Sequence, residues 1–174
     1  RIATTVAPIT SIVSAVAGDR AEVVGIVPEG TNSHTFEPKP SVAELLSTAD
    51  VVYLNGLSLE EPTRELAEAN LRDGADLVEL GDVAIDEDEW LFDFSFPEEG
   101  GKPNPHLWTD PTLARRYAEL VRDDLSARDP DNADAYAEHY QAFADGVDEL
   151  DAAMREAFAT VPSRTLLTYH DAYA

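Results

Sequence analysis

The order of strand-like and helix-like segments in the first half of the chain limits the folds open to it. Short apolar runs alternate with amphipathic ones from residue 2 to residue 80. Apolar runs without polar alternation are typical of parallel strands that are buried on both faces. We therefore expect an α/β fold with a parallel sheet covered by helices. The segments predict the order βαβαβαβ, with bounds 2–6, 9–17, 22–27, 41–48, 51–54, 61–71 and 76–80.

Helices dominate the second half of the chain. Asp110 followed by Pro111 predicts a capped helix start, and this helix extends to about residue 128. A longer helix is predicted over 132–159, which at 1.5 Å per residue spans roughly 40 Å and is able to bridge two lobes. A strand is predicted over 165–169. The apolar stripe of the long helix consists of Tyr136, Tyr140, Phe143, Val147, Leu150, Met154 and Phe158.

The charge of the chain restricts its partners. There are 35 acidic and 12 basic residues, which give a net charge of -23 at pH 7. Because such a chain repels phosphate backbones, nucleic acid is not expected as a partner. The carboxylates are dispersed and only Lys39 and Lys102 are lysines, a pattern typical of adaptation to high salt, so we expect a halophilic source. No apolar run reaches the roughly 18 residues of a membrane span.

The segment 86–104 differs from the rest in composition. It contains seven acidic residues and four aromatic residues at alternate positions. A period of two predicts that the rings share one face, so we expect an irregular loop that is anchored by its rings and solvated on its acidic side. A surface excursion and a carboxylate-based metal-gathering or docking role both remain open. The aromatic residues are Trp90, Phe92, Phe94 and Phe96.

Three of the four histidines lie where α/β folds place ligands, in loops outside strand ends. His34 follows the second predicted strand, His106 precedes the capped helix, and His170 ends the last predicted strand. Singly, each is more often a loop side chain bonded to backbone or solvent. Together, three imidazoles suit a tetrahedral zinc site, and the absence of cysteine leaves only nitrogen and oxygen ligands. His139 lies within the long helix and is expected to be a surface or helix-packing residue.

Other catalytic templates are poorly supported. The chain has no GxSxG elbow, no P-loop and no GxGxxG, so nucleophilic catalysis has no candidate. His34 and Glu37 have HxxE spacing, but Pro38 and Pro40 disfavour a helix there. A metal-activated water remains possible in principle.

Several motifs resemble the solute-binding proteins of zinc and manganese ABC importers. The order His-x-[Tyr/Phe]-Glu-Pro followed by Pro-His-x-Trp-x-Asp-Pro is specific to that family. The resemblance implies that His34, His106 and His170 bind Zn²⁺ or Mn²⁺, with a fourth, carboxylate ligand beyond Ala174. Besides the opening strand and helix, the matching segments are HTFEPKPS (34–41), YLNGLSLE (53–60), NPHLWTDP (104–111) and YHDAY (169–173).

The resemblance also implies an organisation and a function. Residues 1–128 form an N-terminal α/β metal-binding lobe, 129–161 a long connecting helix, and 162–174 the first strand of a C-terminal lobe that is missing. The protein is expected to capture metal outside the cytoplasm, at the cell surface or in the periplasm, and to deliver it to an ABC permease. It is not expected to be an enzyme. We expect a monomer that is anchored to the membrane through a removed N-terminal segment.

Some features depart from the family pattern and leave alternatives open. The acidic loop contains no histidine, and Ser33 stands where the family often has proline. Histidine at position 170, where manganese members often have glutamate, favours zinc over manganese. Glu37 or Asp171 is a candidate hydrogen-bond partner of a ligand ring. A zinc hydrolase with Glu37 as general base, and a metal-independent surface adhesin, are the alternative functions.

Overall fold

A computed structural model describes residues 1–163 and 165–173. Four parallel strands form one sheet in the order β2-β1-β3-β4. Short 3-10 helices lie in several of the connections. The strands are β1 (Ile2–Thr4), β2 (Val23–Gly25), β3 (Val51–Leu54) and β4 (Asp76–Glu79), and the helices are α1 (Ala7–Ala17), α2 (Val42–Thr48), α3 (Glu61–Asn70), α4 (Leu80–Ala84), α5 (Pro111–Arg128) and α6 (Ala133–Ala159).

The sheet separates two apolar cores, and β3 contributes to both. Val51 and Tyr53 lie in the core that contains residues of α1, α5 and α6. Val52 and Leu54 lie in the core that contains residues of α2 and α3. All four side chains are buried, since alternate residues of a strand point to opposite faces and both faces are covered. The predicted α/β class with a covered parallel sheet is confirmed.

Helix α5 begins where the sequence predicts. The Asp110 carboxylate accepts a hydrogen bond of 2.7 Å from the backbone N–H of Thr112, and Pro111 is the first helical residue. Both features stabilise a helix start, because one free N–H is capped and proline has none to lose. This cap fixes the direction in which the chain leaves the 104–110 loop.

Helix α6 buries its apolar stripe only along its first half. Tyr136 and Tyr140 are buried against α1 and α5, whereas Leu150 and Phe158 are 53% and 65% exposed. The connecting role of this helix stays a prediction. His139 packs as expected, with Nδ1 3.0 Å from the Val16 carbonyl oxygen. No described helix is long and apolar enough to cross a membrane.

The predicted strand over 165–169 does not form in this structure. These residues have no regular secondary structure, because a strand needs a neighbouring strand and none pairs with them among the described residues. Their assignment to a C-terminal lobe stays a prediction.

The 86–104 segment is an irregular loop, as predicted, but its rings do not share one face. Trp90, Phe92 and Phe96 are partly buried, whereas Phe94 is 98% exposed. The period of two fails because the chain turns sharply at Asp93, whose backbone N–H donates to the Phe96 carbonyl oxygen over 2.9 Å. A turn reverses the chain direction and removes the alternation of an extended strand.

Candidate metal centre

Three separate loops carry the three histidines to one place. His34 lies in a 3-10 turn after β2, where Asn32 Oδ1 accepts a 3.0 Å hydrogen bond from the His34 backbone N–H. His106 precedes the 3-10 turn Leu107–Thr109, which leads into α5. The His170 segment is held beside them by contacts to its neighbours, including a distance of 2.9 Å between Thr109 Oγ1 and the Ala172 carbonyl oxygen.

The imidazoles meet through their Nε2 atoms. His106 Nε2 lies 3.1 Å from His34 Nε2 and 3.1 Å from His170 Nε2. One ring nitrogen of each histidine lies within 4.8 Å of those of the other two. Nitrogens bound tetrahedrally at 2.0–2.1 Å from one zinc ion are separated by about 3.3 Å. The spacing of the three rings therefore suits a single metal ion.

Burial favours the neutral form of two of the rings, those of His34 and His106. Burial, followed by the positive charge that His34 and His170 acquire on protonation, lowers the pKa of His106 to about 4. Burial and the neighbouring His170 also lower the pKa of His34. Only a neutral imidazole has a lone pair for a metal, so His34 and His106 are ready to bind one at pH 7.

Asn104 is the hydrogen-bond partner of the His106 ring. Its Oδ1 lies 2.6 Å from His106 Nδ1 and accepts a 3.1 Å hydrogen bond from the His106 backbone N–H. Glu37 and Asp171 were predicted as possible hydrogen-bond partners of a ligand ring, but among the described residues neither side chain makes a hydrogen bond to one of the three imidazoles. Glu37 is exposed, and the backbone carbonyl oxygen of Asp171 accepts a hydrogen bond from Asn104. The signal for Asn104 was its place two residues before His106, where a short polar side chain can bond back to the local backbone.

Asp93 lies behind Asn104. Burial acts to raise the pKa of Asp93, but hydrogen bonds from the Asn104 side chain and from the backbone of Phe96 and Ser95 outweigh it and lower that pKa. Asp93 is therefore ionised at neutral pH.

A buried polar network supports the His106 loop from below. Asn55 Nδ2 donates a 2.9 Å hydrogen bond to the Pro105 carbonyl oxygen, and Tyr117 donates one of 3.1 Å to Asn55 Oδ1. Glu60 accepts hydrogen bonds from the backbone N–H groups of Asn55 and Gly56. Burial raises the pKa of Glu60 to about 7 although these donors oppose it.

One face of the three rings is open and another is covered. The ring of Phe96 lies 5.8 Å from those of His34 and His106 and 6.3 Å from that of His170, measured between centroids. A cleft of about 360 Å³ opens beside the histidines. It is lined by Thr31, Asn32, Ser33, His34, His106, Trp108, Tyr169 and His170. An ion can therefore reach the ring nitrogens from solvent.

Comparison with known proteins places the chain in a family. The sequence profile of the periplasmic zinc-uptake complex component A matches residues 2–174. The chain belongs to this family.

Relatives in the zinc-uptake component A family carry the names of different metals. The manganese-binding lipoprotein MntA of Halalkalibacterium halodurans is 35% identical over 99% of this chain and 55% of its own length. The iron-binding protein YfeA of Yersinia pestis is 30% identical over 100% of this chain and 54% of its own. A zinc-bound crystal structure of a ZnuA 138–173 deletion mutant superposes with a TM-score of 0.87 at 28% identity, covering 99% of this chain and 64% of that one. The chain spans about half the length of the curated relatives it matches.

Proposed function

We propose that this protein captures a divalent transition metal with His34, His106 and His170 and delivers it to the permease of an ABC importer. The convergence of the three Nε2 atoms carries the proposal. Three nitrogens that face one point from separate loops repel one another unless a proton or a cation lies between them. A metal ion accepts all three lone pairs at once.

We favour Zn²⁺ as the metal, with Mn²⁺ as the alternative. Imidazole nitrogen suits zinc, whereas manganese is bound better by carboxylate and carbonyl oxygen. The three residues supply nitrogen only, which leaves one tetrahedral position for a fourth ligand. We expect a carboxylate there, in sequence beyond Ala174. The names of the relatives include manganese, iron and zinc, so family membership alone does not select the metal.

Binding for transport explains the site better than hydrolysis does. A zinc hydrolase needs a general base beside the metal. Glu37, the candidate from the sequence, is exposed and does not belong to the cluster of possible metal ligands among the described residues. Relatives named as lipoproteins support a location outside the cytoplasm with a membrane anchor.

Calorimetric titration with Zn²⁺ and with Mn²⁺ tests the proposal on three proteins: wild type, His106→Ala and His139→Ala. Wild type should bind one ion. His106→Ala should lose at least about 100-fold in affinity, since removing even a partner of a ligand costs 10–100-fold. His139→Ala is the matched control, because this histidine packs between helices, away from the cluster.

Two results would contradict the proposal. Unchanged zinc affinity in His106→Ala would exclude this site. Absence of binding, together with no thermal shift at equimolar metal, would favour the adhesin alternative. Metal uptake by cells in which wild type or His106→Ala replaces the natural protein then tests delivery to the permease.

A further inference from the structure

Asp93 differs from the other acidic residues of the 86–104 loop because its side chain is directed inward. It is partly buried, whereas the other six are exposed. Asp93 Oδ2 accepts a 2.7 Å hydrogen bond from Asn104 Nδ2, and its Oδ1 accepts hydrogen bonds of 2.8 and 3.0 Å from the backbone N–H groups of Ser95 and Phe96. The Asp93 carboxylate thus contacts two residues of the site. One is Asn104, which bonds the His106 ring, and the other is Phe96, whose ring covers the histidines.

The contacts of Asn104 determine which way its amide points. Its Nδ2 lies 2.7 Å from Asp93 Oδ2 and 2.9 Å from the Asp171 carbonyl oxygen, and both of these atoms only accept hydrogen bonds. Its Oδ1 lies 3.1 Å from the His106 backbone nitrogen, which only donates. Reversing the amide would place N–H against N–H and oxygen against carboxylate, so the Oδ1 must face the His106 ring.

This orientation determines the tautomer of His106. An amide oxygen cannot donate, so the His106 Nδ1 atom, 2.6 Å from Asn104 Oδ1, must carry the ring proton. In a neutral imidazole the other nitrogen then has the lone pair. That nitrogen is Nε2, which faces the Nε2 atoms of His34 and His170. The ring is in the binding-competent tautomer before any ion arrives.

We propose that Asp93 is a positioning residue that holds His106 in its Nδ1–H tautomer through Asn104. The proposal rests on the proposed function, since it assigns the loop a role at the same site. This role differs from both alternatives that the sequence left open for the loop, a surface excursion and a carboxylate-based metal-gathering or docking role. A carboxylate is required at position 93 because Asn104 must donate to it, and the same carboxylate holds the Phe96 backbone while the Phe96 ring covers the imidazoles.

The substitution Asp93→Asn tests this chain of contacts with minimal change in shape. The new amide oxygen can still accept from Ser95 and Phe96, which directs its NH₂ group at the NH₂ group of Asn104. A donor at position 93 favours the reversed amide of Asn104, which the His106 backbone N–H and the Asp171 carbonyl oxygen oppose. A reversed Asn104 presents NH₂ to His106 Nδ1 and moves the ring proton to Nε2. The exchange Asp93→Asn with Asn104→Asp reverses this pair, with a donor at 93 and an acceptor at 104, so that an acceptor again faces His106 Nδ1. Asp88→Asn removes the same charge from an exposed position of the same loop and is the control.

Nitrogen-15 NMR of the histidine rings in the metal-free proteins reports the tautomer, and calorimetry with Zn²⁺ reports the affinity. Wild type and Asp88→Asn should show Nδ1–H at His106. Asp93→Asn should show an Nε2–H population that wild type lacks and should bind zinc at least about 10-fold more weakly, the lower end of the usual cost of losing a ligand's hydrogen-bond partner. The exchange variant should recover the Nδ1–H signal and an affinity within about 3-fold of wild type.

Unchanged Nδ1–H and unchanged zinc affinity in Asp93→Asn would overturn the inference. The inference would also be overturned if Asp93→Asn bound zinc more weakly and the exchange variant did not recover the affinity, because that result indicates general damage to the loop. Failure of the proposed function is distinguishable: wild type would then not bind zinc, while the tautomer signals of the metal-free proteins would still respond to position 93.

Discussion

The buried carboxylate of Glu60 makes the stability of the fold depend on pH in a direction that can be measured. Glu60 is 4% exposed, and burial raises its pKa to about 7, against 4.5 for an ordinary glutamate. Between these two values the folded state holds a proton that the unfolded state has released. Stability from this group is therefore fully present below pH 4.5 and is lost as the pH rises to about 7. The difference corresponds to about 3 kcal/mol at about 1.36 kcal/mol per pKa unit.

Comparing wild type with Glu60→Gln isolates this contribution, since glutamine does not titrate. The free energy of unfolding of both proteins is measured by urea denaturation from pH 5 to pH 9. The lower limit avoids the isoelectric point of about 4.2. The free energy of the variant minus that of wild type should rise by most of the 3 kcal/mol between pH 5 and 7 and should be constant above pH 8. A constant offset between the two proteins is irrelevant to the test.

The reasoning would be refuted if the free energy of unfolding of Glu60→Gln minus that of wild type did not change with pH. That result would mean that the hydrogen bonds from Thr5, Asn55 and Gly56 to the carboxylate offset the cost of burying its charge. Glu65→Gln is the matched control, because Glu65 is an exposed residue of the same helix, α3, and its substitution removes one carboxylate while leaving the buried one in place.

Three further predictions follow from charge, backbone geometry and protonation. Burial lowers the pKa of both His34 and His106. Protonation of these two rings should therefore weaken zinc binding, measured by calorimetry, only below about pH 6.5, the pKa of free histidine. A loss of zinc affinity that begins above pH 7 would contradict this. Ser58 is exposed and has a φ of 60°, a backbone conformation that glycine adopts more easily than alanine. In urea titrations, the free energy of unfolding of Ser58→Gly should therefore be about 1 kcal/mol higher than that of Ser58→Ala. At an ordinary negative φ the order would be reversed, and the alanine variant would be the more stable protein. Because the net charge is -23, the thermal midpoint should rise with NaCl between 0.05 and 2 M as self-repulsion is screened, and an unchanged midpoint would argue against the proposed salt adaptation.

The elements of this fold were predictable where a local signal sets them. Strand β3 occupies the predicted range 51–54, because four consecutive apolar residues can be buried only between two covered faces. The start of α5 follows from Asp110 and Pro111 alone. The strand expected over 165–169 could not be confirmed in the same way, because a strand also needs a partner and sequence does not supply one.

The histidines of the site were predictable, but their support was not. His34, His106 and His170 stand out because histidine is rare in this chain and follows or precedes predicted elements. Asn104 contacts a residue that is distant in sequence, the Asp171 carbonyl oxygen, 67 positions away, and Asp93 contacts Asn104 across their own loop. Their roles depend on which way an amide points, and this is a property of packing rather than of local sequence.

Under the proposed function, the acidic residues of the chain divide into two groups that would act on a cation by different routes. The exposed majority creates a negative field that attracts dications from a distance and weakens with salt, so it acts mainly on the rate of association. In the role proposed for it, Asp93 acts at short range through Asn104, in a partly buried place where screening is weaker, and would affect how strongly His106 binds a metal. The proposed ligands are imidazole nitrogens, which bind a metal only in their neutral form. A dication could therefore be drawn to the protein by the field of its carboxylates and still be held by nitrogen ligands, because the proposal assigns attraction and selection to different side chains.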